Sequence, residues 1–175
     1  MRSIRPVAAP ERTTIPDVDL ESLRLPYAEA MVTIAKPVDE VFGFLADGVN
    51  APRWMPWVMQ STPVGYGGGV GATYSQRTVS SLLGRKWVIY RIVHYHSPIA
   101  LGVEATSLPG RPTARFQLTP TESGTTTITV QAQFTDLGAA STPSSVARRW
   151  ATHLVESLPR IKSELEAGAA NAASA

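Results

Sequence analysis

Apolar residues recur along this chain with two different periods, and the switches between them mark the elements. From Tyr27 to Lys36, Ala28, Ala30, Val32 and Ile34 share one parity, which predicts a strand. Val38, Val41, Phe42 and Leu45 then recur at helical spacing as far as Asp47. Pro37 stands where a first helical position accepts a residue without an N–H, and Asp39 and Glu40 suit the positive end of the helix dipole. Gly48 is a natural stop. A second short helix is predicted from Asn50, as N-cap, to Trp57, with Pro52 near its start.

The middle of the chain reads as β-structure. Strands are predicted over 72–82, 86–95, 99–107, 113–118 and 125–134. Leu83-Gly84-Arg85 and Glu122-Ser123-Gly124 read as hairpin turns, and Pro98 and Pro109-Gly110 separate the others. Short connections between consecutive strands imply an antiparallel meander. The glycine-rich stretch from Gly65 to Gly71 lacks the Gly-Lys-Ser/Thr ending of a phosphate loop and opens no helix, so it reads as a turn between strands.

The last element is helical. Thr142 and Pro143 suit its start, and Val146, Trp150, Leu154, Leu158, Ile161 and Leu165 form one apolar stripe. Pro159 removes a hydrogen bond and crowds the preceding turn, which predicts a kink or break between Val155 and Pro159. Residues 1–26, with Pro6, Pro10, Pro16 and Pro26 among Arg and Asp, read as an extended arm carrying a minor apolar pattern (Ile15, Val18, Leu20, Leu23, Leu25). Residues 167–175, all small or polar, read as a frayed tail, which leaves a folded domain over 27–166.

Composition narrows the function. A chain of 175 residues suits one domain with a sizeable core. The absence of cysteine excludes disulfides, thiolate catalysis and cysteine-ligated zinc. The net charge of +2 is scattered, with Arg85-Lys86 and Arg148-Arg149 the only adjacent basic pairs, so no nucleic-acid stripe is present. No apolar run approaches a membrane span, and the N-terminus lacks a signal core, so the expected location is cytoplasmic.

Several segments together resemble the helix-grip superfamily, often called SRPBCC, which includes START domains, the birch-pollen allergen and bacterial polyketide cyclase/aromatase proteins. Val32 to Asp47 looks like that family's opening strand and helix, and Asn50-Ala51-Pro52-Arg53-Trp54-Met55-Pro56-Trp57 resembles its second helix. Gly69 to Tyr74, His94 to Pro98, and Leu118 to Thr125 resemble its entry to the third strand, the turn before the fifth, and the last hairpin. The resemblance covers about 30–166 and implies an α+β fold: a curved antiparallel sheet of six or seven strands wrapped around a long C-terminal helix, with two short helices after the first strand. It also implies an apolar cavity between helix and sheet. The Pro159 interruption and the N-terminal arm depart from the family's pattern.

Candidate site residues follow from these placements. Trp54, Met55 and Trp57 offer a large polarizable surface at a cavity mouth, with core packing as the alternative. Trp150 lies on the helix stripe facing the sheet, as core or as lining. A hairpin about Gly84 pairing Leu83 with Lys86 gives two possible inner faces. One gathers Arg77, Tyr90 and His94, with His94 suited to proton transfer, Arg77 to stabilising an enolate or carboxylate, and Tyr90 to donating to a carbonyl. The other presents Tyr74, Gln76, Arg91 and Tyr95 in those roles, and the pattern alone does not choose between them. His94 and His96 share parity but lack a third metal ligand, and Glu104 reads as a general base or as a residue on a solvated outer face.

The resemblance implies, first, a cyclase that needs no cofactor and closes or dehydrates a polyketide-type intermediate in its cavity. The second expectation is a binding protein or carrier for a lipid or other small hydrophobic molecule. An inward-facing acid–base pair would separate the two. A protein-interaction module is a third.

Overall fold

The structure, a computed structural model, describes residues 28–65, 67–80, 84–134 and 145–172. The elements, in order, are β1 (Ala28–Ile34), α1 (Val38–Ala46), a 3₁₀ turn (Gly48–Asn50), α2 (Ala51–Trp54), β2 (Val58–Val64), β3 (Thr73–Ser80), β4 (Gly84–His96), β5 (Ala100–Ala105), β6 (Pro112–Pro120), β7 (Thr126–Phe134), α3 (Ser145–Glu156) and α4 (Leu158–Ala172). All seven strands join one antiparallel sheet in the order β1-β7-β6-β5-β4-β3-β2. The sheet curves around the C-terminal helical segment in the helix-grip arrangement expected from the sequence.

Alternation along the strands sets the inner face. Ile34, Ile128, Val130, Ala132, Ala114, Phe116, Leu118, Leu101, Ala105, Val88, Tyr90 and Ile92 are buried. Strand pairing puts them on one surface, as in Phe116 opposite Val130 and Leu101 opposite Phe116. Ala151, Leu154, Leu158 and Ile161 of α3 and α4 press onto it. Each large apolar side chain so buried contributes about 1.5–3 kcal/mol.

The break at Pro159 occurs where the sequence places it. Helix α3 ends at Glu156 and α4 starts at Leu158. Ser157 is buried at the junction, and its hydroxyl donates to the Leu154 carbonyl at 2.7 Å. Helix α4 runs to Ala172, into the stretch read as a frayed tail, because Ala and Glu sustain a helix once packing has nucleated it. The arm at 1–26 and the start signals Thr142 and Pro143 lie outside the described residues.

Three local expectations are corrected. Strand β2 was not legible, because Val-Met-Gln-Ser-Thr-Pro-Val lacks a clean alternation; it is an edge strand, where Pro63 costs no interior ladder bond. The second helix ends at Trp54, not Trp57; Asn50 holds its N-cap position but makes no side-chain capping bond. Asn50 instead donates its amide to the Phe44 carbonyl, while the Asp47 carboxylate accepts from the Val49 N–H.

The third correction is the β3–β4 register. Ser80 pairs with Gly84 and Tyr74 with Tyr90, so Gly84 belongs to the strand and the connection lies at 81–83. The assumed pairing of Leu83 with Lys86 was displaced by an odd number of residues, and both face assignments built on it fail. The inner face takes Tyr74 and Gln76 from one set and Tyr90 from the other.

Candidate functional site

Between the concave sheet and α3 lies a small, partly open cavity of about 50 Å³. Leu45 and Ala46 of α1, the Asp47–Gly48 turn, and Ala51, Trp54 and Met55 wall one side. Tyr74, Gln76, Tyr90, Ile92, Leu101, Val103 and Phe116 of the sheet form the floor, and Trp150 and Leu154 of α3 close it. The lining is mostly apolar and aromatic, with a few polar groups converging, as in small-molecule sites. The volume is well below the roughly 300 Å³ of an occupied ligand pocket, so the cavity must widen to admit one.

The closure has identifiable parts. Trp150 and Tyr90 stack at 6.3 Å between ring centroids, and the indole N–H donates to the Tyr90 hydroxyl at 2.5 Å. Trp54 stands edge-on to Phe116 at 6.1 Å, fixing α2 against the floor. At the rim, the Tyr74 ring lies flat on Gly48: a Cβ added there would stand 2.7 Å from ring atoms Cγ and Cδ2. Only the missing side chain of Gly48 permits that approach.

Two polar groups matter most. Gln76 is 3% exposed, and its Oε1 has no hydrogen-bond partner. Among the described residues only Ser61 Oγ, directly opposite Gln76 on β2, is likewise buried and unpartnered. Such an atom costs about 1–3 kcal/mol in the free protein. Burial holds the Tyr90 hydroxyl far above the usual phenol range, and the Trp150 hydrogen bond offsets this only in part. Tyr90 is therefore a neutral donor at working pH. Tyr90 pairs with Tyr74, and Gln76 is two residues further along the same face, which puts it diagonal to Tyr90 at roughly 7–8 Å.

The remaining sequence-derived candidates fall elsewhere. Trp54, Met55, Tyr74, Gln76, Tyr90 and Trp150 meet at the cavity. Trp57 does not: its ring lies 5.3 Å from that of His153, beside an open surface groove of about 490 Å³ that also touches Val79 and Arg160. Arg77 pairs with Trp87, which is mostly exposed on the outer face. Arg91 borders the cavity, but its guanidinium reaches Glu104 at 3.1 Å on the outer face. The same carboxylate oxygen of Glu104 receives Arg111 at 2.9 Å.

His94 is displaced by a β-bulge. Ile92 pairs with Val103 and His94 with Gly102, so Val93 is the extra residue. The bulge leaves both Val93 and His94 on the outer face, beside a groove of about 690 Å³ with Glu104, Arg115 and Gln131. It also turns Tyr95 inward onto Phe42, whose ring lies 5.1 Å away. An inward acid–base pair of His94 with Arg77 or Tyr90 is therefore not formed. No group of three potential metal ligands occurs among the described residues, and no helix there is long and apolar enough to cross a membrane.

Sequence reasoning did not single out Asp47, Gly48, Leu101, Val103 or Phe116 as lining. Their positions on an inner strand face or just past a helix end were visible, but not the fact that these segments converge.

Solved structures share this architecture. The ZhuI aromatase/cyclase from Streptomyces sp. R1128 superposes with a TM-score of 0.64 at 16% identity, over 79% of this chain and 92% of its own. Ara h 8.0201 gives 0.62 at 17% identity, over 80% and 97%. A START superfamily protein from Mycobacterium smegmatis gives 0.58 at 12%, over 79% and 97%. At such identities the likeness establishes the fold alone. No protein with a curated description matches the sequence. The family model described as polyketide cyclase / dehydrase and lipid transport matches residues 27–166, and the chain belongs to that family.

Proposed function

We propose that this protein binds a small, largely apolar organic molecule in the cavity between α3 and the sheet. The observation that carries this reading is the buried, unpartnered Oε1 of Gln76 in an otherwise apolar lining. A fold keeps such an atom unsatisfied at a cost, and a bound guest that meets it recovers that cost. With His94 and Arg77 on the outer face, no histidine is among the described residues that line the cavity with Tyr90, which favours a binding protein or carrier over acid–base catalysis. Trp54 and Trp150 line the cavity and serve as reporters. A titration with apolar probes is expected to change their fluorescence, and a Leu154→Trp variant that fills the space is expected to abolish the change. Probes that leave the fluorescence of the unaltered protein untouched would end this reading.

A second reading, a cyclase acting without a cofactor, is favoured by Tyr90 itself. A neutral phenol held by Trp150 donates a hydrogen bond to a carbonyl oxygen and polarises it. In a poly-β-ketone, an enol carbon then bonds to that carbonyl carbon and closes the ring, the enol proton passes to the new oxygen, and the resulting hydroxyl leaves with an adjacent α-hydrogen as water. The cavity wall imposes the folded chain shape. Mass spectrometry of a supplied polyketide intermediate, without added cofactor, tests this. Turnover that falls about 100- to 1,000-fold in Tyr90→Phe, beyond any loss of binding, supports the cyclase, and binding without product supports the carrier.

A further inference from the structure

The polar atoms of the cavity define more than a hydrophobic guest. Given the binding role above, they also set the guest's chemical class. Gln76 Oε1 is an acceptor without a donor. The Tyr90 oxygen accepts from Trp150, which leaves the hydroxyl proton free to be donated. The two residues sit diagonally on neighbouring strands and line the same cavity. We infer that the guest is neutral and carries a hydroxyl group, as an alcohol, enol or phenol, at the end that reaches Gln76 and Tyr90, and that carboxylates such as fatty acids are rejected.

A hydroxyl both donates and accepts, so one group accepts from Tyr90 and donates to Gln76. A ketone or ester only accepts, which leaves Gln76 unpaired. A carboxylate only accepts and brings a charge. Of the described residues bordering the cavity, only Asp47 and Arg91 are charged. Asp47 repels an anion, and Arg91 is committed to Glu104 on the outer face. A carboxylate would lose its hydration without gaining a cation. A plain hydrocarbon leaves both polar groups unsatisfied.

The test is a matched series on one slim, flexible chain able to enter as the cavity widens: 1-decanol, 2-decanone, decanoate and decane, titrated into the full chain at pH 7.5 by calorimetry and tryptophan fluorescence. The alcohol is expected to bind about tenfold more tightly than the ketone, the difference of one hydrogen bond, and at least that much more tightly than decanoate. Gln76→Leu is expected to erase the alcohol-over-ketone preference while keeping decane binding. Tyr90→Phe, an independent variant, should weaken alcohol and ketone alike. Decanoate or 2-decanone binding as tightly as 1-decanol overturns the hydroxyl inference and leaves the cavity role standing. Failure of all four to bind overturns both.

Discussion

The indole N–H of Trp150 donates to the hydroxyl of Tyr90, 2.5 Å away, and ties helix α3 to the middle of strand β4. These residues are far apart in sequence, and neither reaches this partner unless the helix is seated on the sheet. The bond therefore reports the seating of α3 on the sheet directly. Trp150→Phe keeps most of the ring and removes the donor, and Tyr90→Phe removes the acceptor. Each is expected to cost about 1–2 kcal/mol in urea denaturation. The double variant should lose less than the sum, with a coupling of about 0.5–1.5 kcal/mol. Strict additivity would show that the pair does not hold α3 in place.

The same burial sets an alkaline limit. An exposed tyrosine ionises near 10.0, and burial raises Tyr90 well above that. Below pH 10 the folded and unfolded chains both hold the proton, and Tyr90 adds no pH dependence. Above it the unfolded chain releases the proton while the folded chain keeps it, so stability falls as pH rises. Denaturation midpoints measured from pH 8 to 11.5 should decline beyond pH 10, and decline less steeply in Tyr90→Phe. Identical slopes for the two proteins would show that Tyr90 ionises normally in the fold.

Gln76 predicts opposite signs for stability and recognition. Replacing it with Leu removes a buried, unpartnered amide oxygen and adds apolar surface of similar size. The free protein is expected to gain about 1 kcal/mol. A loss above 2 kcal/mol in chemical denaturation would mean that the amide has a structural partner in solution.

The family architecture was legible because it lies in periodicity. The α1 stripe, the strand alternation from Thr126 to Phe134 and the Pro159 break each follow from local stereochemistry. The site was legible in part, because facing depends on register, and register turned on whether Gly84 ends a turn or begins a strand. The β-bulge at Val93 compounded this by sending His94 outward and Tyr95 inward, against strict alternation. Nothing in the sequence foretold how small the cavity is, since its volume depends on Tyr74, Trp150 and Phe116 meeting from three separate segments.

The contact of Gly48 with Tyr74 makes the rim open to test. A methyl group at position 48 would stand 2.7 Å from the base of the Tyr74 ring, which cannot yield by bending at its tip. Gly48→Ala must therefore turn Tyr74 about its first side-chain torsion or shift the 3₁₀ turn. Overpacking of this kind costs about 1–3 kcal/mol. Because Tyr74 lies at the rim and is only half-buried, its displacement widens the entrance while the polar groups at Gln76 and Tyr90 stay in place. The expected result is faster association and dissociation of 1-decanol in stopped-flow fluorescence, with the alcohol-over-ketone preference intact. In Tyr74→Ala, which opens the rim without strain on Gly48, the rates should rise as well. Unchanged rates in both variants would place the entrance elsewhere along α3.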